Sequence, residues 1–265
     1  MTDWVWQPLY NFHYLSLKKQ SGVNTNKLQL RMQLLKTLLV IFLWMTALDL
    51  PAQDSSYTKP ALTSDPDHFR RQYQQDSTKK MIELKSMIPR IVYDLRYATT
   101  NNFMHRLMYP AGTNQTFLRL PAAKALLQVQ SELALQGKGL KIFDAYRPWS
   151  VTARFWELVK DERYVANPSR GSGHNRGVAV DLTVIWLKDG TELNMGTGFD
   201  NFSDSAHQGY TRLPDEILQN RKLLKSLMEK NGFKALETEW WHYSLPEASR
   251  FEILDIPFKK IRKNL

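Results

Sequence analysis

One segment constrains the fold more than any other: a glycine-rich turn, Ser172-Gly-His174-Asn-Arg-Gly177, that runs straight into a β-branched stretch over residues 178–186. Val178, Val180, Leu182 and Val184 alternate with Ala179, Asp181 and Thr183. A period of two predicts a strand with one apolar face and Asp181 on the other. Gly177 can turn the chain at positive φ, so strand alternation does not separate His174 from Asp181. Gly171 and Gly173 are expected to let the backbone approach a bound group closely.

Around this segment, strands and helices are interspersed. Residues 90–97, 140–143 and 239–245 read as strands, the last rich in aromatic residues. Helical spacing of Ala122, Ala125, Leu126, Val129 and Leu133 predicts a helix over 121–135, with Pro121 suited to its first turn. A second helix is expected to open at Pro148 and run to about Val159. A third, amphipathic helix spans 214–231 and stops at Gly232. The order lacks regular βαβ alternation, which favours an α+β fold. A chain of 265 residues allows one ordinary domain plus additional sequence at one end. With 43% hydrophobic and 23% charged residues, the composition argues against a disordered chain and a polytopic membrane protein.

The chain contains no cysteine, so any metal site must use imidazole and carboxylate rather than thiolate. Its net charge is +10; leaving out residues 1–52, with five Lys/Arg and two acids, gives +7. Such a surface attracts anionic polymers of several kinds. No basic stripe interleaved with aromatics is present, so a nucleic-acid partner is not expected.

The N-terminal third is organised differently. Lys36 precedes a charge-free apolar stretch from Thr37 to Leu48, and Ala52 stands before a polar segment. This pattern predicts a signal peptide over 32–52 and an exported, periplasmic or extracellular protein. The stretch is shorter than the ~20 residues that cross a bilayer, so no stable span is expected after cleavage. Residues 1–31 read as an upstream extension, with translation starting at Met32. Residues 53–80 read as a linker and leading helix, and residues 81–265 as the catalytic domain.

Two segments carry candidate metal ligands. His174 and Asp181 alone would be a weak signal, because a hydrogen-bonded pair beside a turn is commoner. Glu239-Trp-Trp-His242 adds a second imidazole with a carboxylate three residues before it. A catalytic zinc needs three N or O ligands and one open position, and His174, Asp181 and His242 supply the three. Together they leave the site at +1, which favours ionisation of a bound water. Glu239 is then the expected proton acceptor. In a regular strand, residues 239 and 242 face opposite sides, a conflict that a bulge or a strand end would relieve. In Asp144-Ala-Tyr-Arg147-Pro148, the proline biases Arg147 towards an extended conformation, from which its guanidinium can stabilise an oxyanion.

With these segments in their observed order, the chain resembles the D-alanyl-D-alanine dipeptidases, a zinc peptidase family. The resemblance rests on DAYRP, SGHNRGVAVDLT, MGTGFD and EWWHY and spans roughly 81–258. It implies one zinc ion per chain held by His174, Asp181 and His242, Glu239 as general base and acid, and Arg147 stabilising the tetrahedral intermediate. It also implies a substrate contact from Ser172 and a small α+β domain built on a central, mainly antiparallel sheet flanked by helices. The implied reaction is hydrolysis of a small D,D-dipeptide, in cell-wall turnover or scavenging. A carboxypeptidase or endopeptidase acting on longer peptidoglycan peptides, and a non-catalytic zinc domain that binds cell wall, are the competing readings. Oligomeric state is left open.

Overall fold

The computed structural model describes residues 30–37 and 57–263. Residues 30–37 form a helix within a unit spanning Met1–Ser56, and Tyr57–Leu265 form a second, compact unit. Beyond residue 37, the expected signal segment lies outside the described residues. No helix among the described residues is long and apolar enough to cross a membrane.

The second unit opens with α1 (Pro66–Gln75). The Asp65 side chain caps this helix by accepting from the backbone N–H groups of Asp67 and His68, with Pro66 at its start. Phe69 on α1 is buried. Next come β1 (Met81–Glu83), α2 (Leu84–Met87), β2 (Val92–Tyr93) and β3 (Phe117–Arg119). They lead to α3 (Leu120–Ala134), β4 (Lys138–Asp144), α4 (Trp149–Leu158) and β5 (Ala179–Trp186). The chain finishes with α5 (Asp215–Lys230), β6 (Lys234–Leu236), β7 (Glu239–Ser244) and α6 (Phe258–Lys263).

Five strands form the central sheet in the order β2-β4-β5-β7-β6, and β1 pairs with β3 in a separate two-stranded sheet. Only the edge pair β2/β4 of the central sheet is parallel. The α+β architecture with a mainly antiparallel sheet is therefore the observed one.

One sheet face presents Leu140, Ile142, Val180, Leu182 and Val184 to the apolar sides of α3 and α5, through Leu126, Val129, Leu133, Leu224 and Met228. Burial of such side chains contributes roughly 1.5–3 kcal/mol each. A second, aromatic cluster gathers Phe69, Tyr97, Tyr109, Phe117, Tyr146, Phe155 and Phe258. The site lies where this cluster meets the ends of the central strands.

Residues 90–97 do not form one strand. Pairing stops after Val92 and Tyr93, and a 3-10 turn at Arg96–Ala98 swings Tyr97 into the aromatic cluster. Burial of that ring outweighs the local preference for extension. β5 departs from simple alternation as well. Asp181 and Thr183 are buried along with Val180, Leu182 and Val184, because both faces of this inner strand are covered.

Candidate metal and hydrolytic site

The site begins as a row across three strands. Asp144 on β4 is the register partner of Asp181 on β5, and Asp181 is the partner of His242 on β7. The first pairing depends on an irregularity between Ile142 and Asp144, which admits one additional residue and realigns Asp144 with Asp181.

His174 reaches the row from the turn before β5. Gly177 adopts φ +71°, which reverses the chain between His174 and the strand. Gly173 has no room for a side chain against the protein itself. A Cβ there would lie 2.7 Å from Ser244 Oγ and 2.8 Å from the Ala179 Cβ. The His174 Nδ1 lies 2.7 Å from the Ala145 carbonyl oxygen. A carbonyl can only accept, so Nδ1 carries the proton and Nε2 presents its lone pair to the site.

His174 Nε2 is 3.2 Å from His242 Nδ1 and 3.3 Å from Asp181 Oδ2, and His242 Nδ1 is 2.9 Å from Asp181 Oδ1. Donor atoms of the three residues all lie within 4.8 Å of one another, making a group that can hold a metal ion. For a tetrahedral ion bound at ~2.0–2.1 Å, ligand atoms are separated by roughly 3.3 Å. The donor set therefore fits such an ion. Burial pushes the Asp181 carboxyl up, but the two histidines outweigh it and hold the group below the usual carboxylate range.

Glu239 stands beside this group, its Oε2 3.9 Å from His242 Nδ1. The conflict of strand parity is relieved by a register slip. Ala235 pairs with Tyr243, but the next residue, Leu236, pairs with Glu239 rather than His242. The surplus residues on β7 let Glu239 and His242 approach the same pocket. Burial, reinforced by Asp181 and Asp200, pushes the Glu239 carboxyl well above its ordinary value.

Arg147 lies between the rings of Tyr97 and Phe155, with its Cζ 5.2 and 4.7 Å from their centroids. Its Nε and Nη2 donate to Asp144 Oδ2 at 2.9 and 2.8 Å, and Nη2 is 3.7 Å from Asp181 Oδ2. Asp144 Oδ1 accepts from the Tyr109 hydroxyl at 2.6 Å and from the Ala145 backbone N–H at 2.9 Å. Burial disfavours the Arg147 charge, but Asp144, with Tyr97, Tyr109 and Asp181, more than compensates and holds the guanidinium protonated. Ser172 is fixed by a reciprocal turn: its N–H donates to Asn175 Oδ1 at 2.9 Å and its Oγ accepts from the Asn175 N–H at 3.2 Å.

Arg147, Ser172, His174, Asp181, Glu239 and His242 all line a single cavity of about 190 Å³. Sequence pattern alone gives Asp144 and Asp200 no role, although they lie in the DAYRP and MGTGFD segments. Asp200 also lines the cavity, at φ 60°. Its Oδ1 accepts from the Tyr97 hydroxyl at 3.1 Å, while the enclosed Oδ2 has no hydrogen-bond partner among the described residues. Burial, followed by the charge of Asp181, pushes this carboxyl up to about 8.

Comparison with known proteins agrees with these features. The chain is 35% identical over 179 residues to the D-alanyl-D-alanine dipeptidase of Escherichia coli, which covers 67% of this chain and 90% of that protein. It is 31% identical to the D-alanyl-D-alanine dipeptidase of Enterococcus faecalis, over 61% of this chain and 89% of that one. For the Enterococcus faecium protein of the same name, the identity is 31% over 66% of this chain and 96% of the other. The profile of a peptidase family described as D-ala-D-ala dipeptidase matches residues 77–263, so the chain belongs to that family.

Proposed function

We propose that this chain hydrolyses D-alanyl-D-alanine to two D-alanines, with one zinc ion held by His174, Asp181 and His242. The convergence of these three donors, with Glu239 beside them in a small cavity, carries the reading. Bound there, zinc would supply Lewis-acid polarisation of the scissile carbonyl and of a water molecule.

The chain's own residues do the rest. Glu239, with its Oε2 3.9 Å from His242 Nδ1, takes the proton of the attacking water and delivers it to the departing amine. Arg147, held protonated by Asp144, faces the negative charge that develops on the carbonyl oxygen. Asp200, with one enclosed and unpartnered oxygen, accepts the substrate ammonium group. Ser172 contributes a polar contact at the pocket wall. The choice of a dipeptide over a longer chain follows the relatives, which are named D-alanyl-D-alanine dipeptidases.

The test is an assay of purified protein on D-Ala-D-Ala and on a pentapeptide ending in D-Ala-D-Ala, with and without a chelator. Chelator-sensitive cleavage of the free dipeptide supports the reading. Preferential release of terminal D-alanine from the pentapeptide overturns it.

Export to the periplasm or beyond, with cleavage near Ala52, is proposed from the Lys36 and Thr37–Leu48 pattern. Cell-wall peptide turnover or scavenging would follow from that location. N-terminal sequencing of the protein recovered outside the cytoplasm checks it.

A further inference from the structure

Arg221 on α5 is 5% exposed and lies outside the cavity. Every acceptor its guanidinium meets among the described residues is a backbone carbonyl. Nε donates to Met195 O at 2.8 Å, Nη2 to Ser205 O at 2.9 Å and Nη1 to His207 O at 3.2 Å. A buried cation with no anionic partner is costly, and an apolar side chain of the same size would fill the space at lower cost.

Those three carbonyls belong to the two ends of one loop, residues 195–207, and the middle of that loop enters the site. Thr197 Oγ1 accepts from the Trp240 indole at 2.8 Å, and Phe199 stacks on Phe143 with centroids 4.9 Å apart. Asp200 then sits in the left-handed region at φ 60°, a conformation that costs a non-glycine residue on the order of 1 kcal/mol and persists only when its surroundings enforce it. Beyond the loop, Gln208 donates its N–H to Glu237 O at 2.9 Å and its Nε2 to Glu239 O at 3.2 Å, tying the loop to the start of β7.

We propose that Arg221 is a positioning residue for Asp200: by joining the two ends of loop 195–207, its guanidinium holds the Asp200 carboxylate where the substrate ammonium group binds. The proposal rests on the reading of Asp200 given above.

The experiment is a double-mutant cycle of Arg221→Met and Asp200→Asn on the zinc-loaded full chain, with hydrogen exchange measured on each variant. A misplacement of about 1 Å can cost up to ~100-fold, so Arg221→Met is expected to raise KM for D-Ala-D-Ala by about 10- to 100-fold. Zinc content should be unchanged and kcat should fall much less than KM rises. Arg221→Lys should restore part of the loss. In the Asp200→Asn background, Arg221→Met should add little, because coupled residues are not additive.

Equal KM factors in both backgrounds, or an unchanged KM in folded Arg221→Met, would overturn the proposal. Should Arg221→Met fail to fold, Arg221→Gln and Arg221→Lys complete the same cycle. Hydrogen exchange separates the two readings. Protection lost only over 195–207 in a protein whose wild type does not cleave the dipeptide sinks the functional reading and keeps the positioning role. Protection unchanged over that loop sinks the positioning role.

Discussion

Asp181 and His242 face each other across the β5/β7 ladder, with Oδ1 and Nδ1 2.9 Å apart. Because the ladder fixes both backbones, this proposed ligand pair is held by main-chain hydrogen bonds rather than by loop conformation, and of the three proposed ligands only His174 comes from a turn. Such preorganisation lets an ion bind without first ordering the chain.

Metal should therefore stabilise the folded state. Zinc at 100 times its dissociation constant is expected to add ~2.7 kcal/mol, read as a rise in thermal midpoint when zinc is added to chelator-treated protein. His242→Ala should lose most of that rise. A midpoint in His242→Ala that still responds fully to zinc would exclude His242 as a ligand.

Glu239→Gln is expected to keep zinc and lose activity. General acid–base catalysis contributes typically ~10²–10⁴-fold, so kcat should fall within that range while metal content by atomic absorption stays level. A variant with zinc and undiminished kcat would falsify the proton-transfer role.

The Asp144–Arg147 pair is buried, so removing one partner strands a charge. Asp144→Asn should cost about 3–5 kcal/mol of stability, measured by urea unfolding, and should also depress activity because Arg147 loses its anchor. Arg147→Met added to Asp144→Asn should recover part of the stability but none of the activity. Equal stability losses for the single and double variants would contradict an uncompensated Arg147 charge.

Asp200 gives the metal-free protein a pH signature. Its folded value is pushed up to about 8, above the unfolded value of about 3.9. Between these values the folded state binds a proton that the unfolded state has released. Stability from this group is therefore full below about pH 4 and declines by at most ~1.4 kcal/mol per pH unit as pH rises towards 8. Asp200→Asn should remove that slope and unfold at higher urea than the wild type at pH 9. Parallel pH profiles for the two proteins would rule out the shift.

Much of the site was legible because its signals are local. Gly177 marked the reversal that returns His174 to Asp181, and the β-branched run placed Asp181 in a strand. Relations set by partner strands were not legible. The slip that brings Glu239 beside His242 is defined by β6, a three-residue strand with too little pattern to announce itself. Asp144 joins the row only through an irregularity in β4 that no residue type marks. Tyr97 looked like the end of a strand, because burial in an aromatic cluster is a tertiary effect that local propensity does not register.

β7 follows every other strand among the described residues, yet it lies inside the sheet between β5 and β6. During synthesis, a nascent chain ending before residue 239 lacks both His242 and Glu239, together with the strand that covers the inner edge of β5. Such a chain leaves β5 unpaired on that side and open to intermolecular association. The proposed site residues of β7 and the protection of β5 from aggregation thus arrive together, once residues 239–244 are made, and a product terminated before them would have neither.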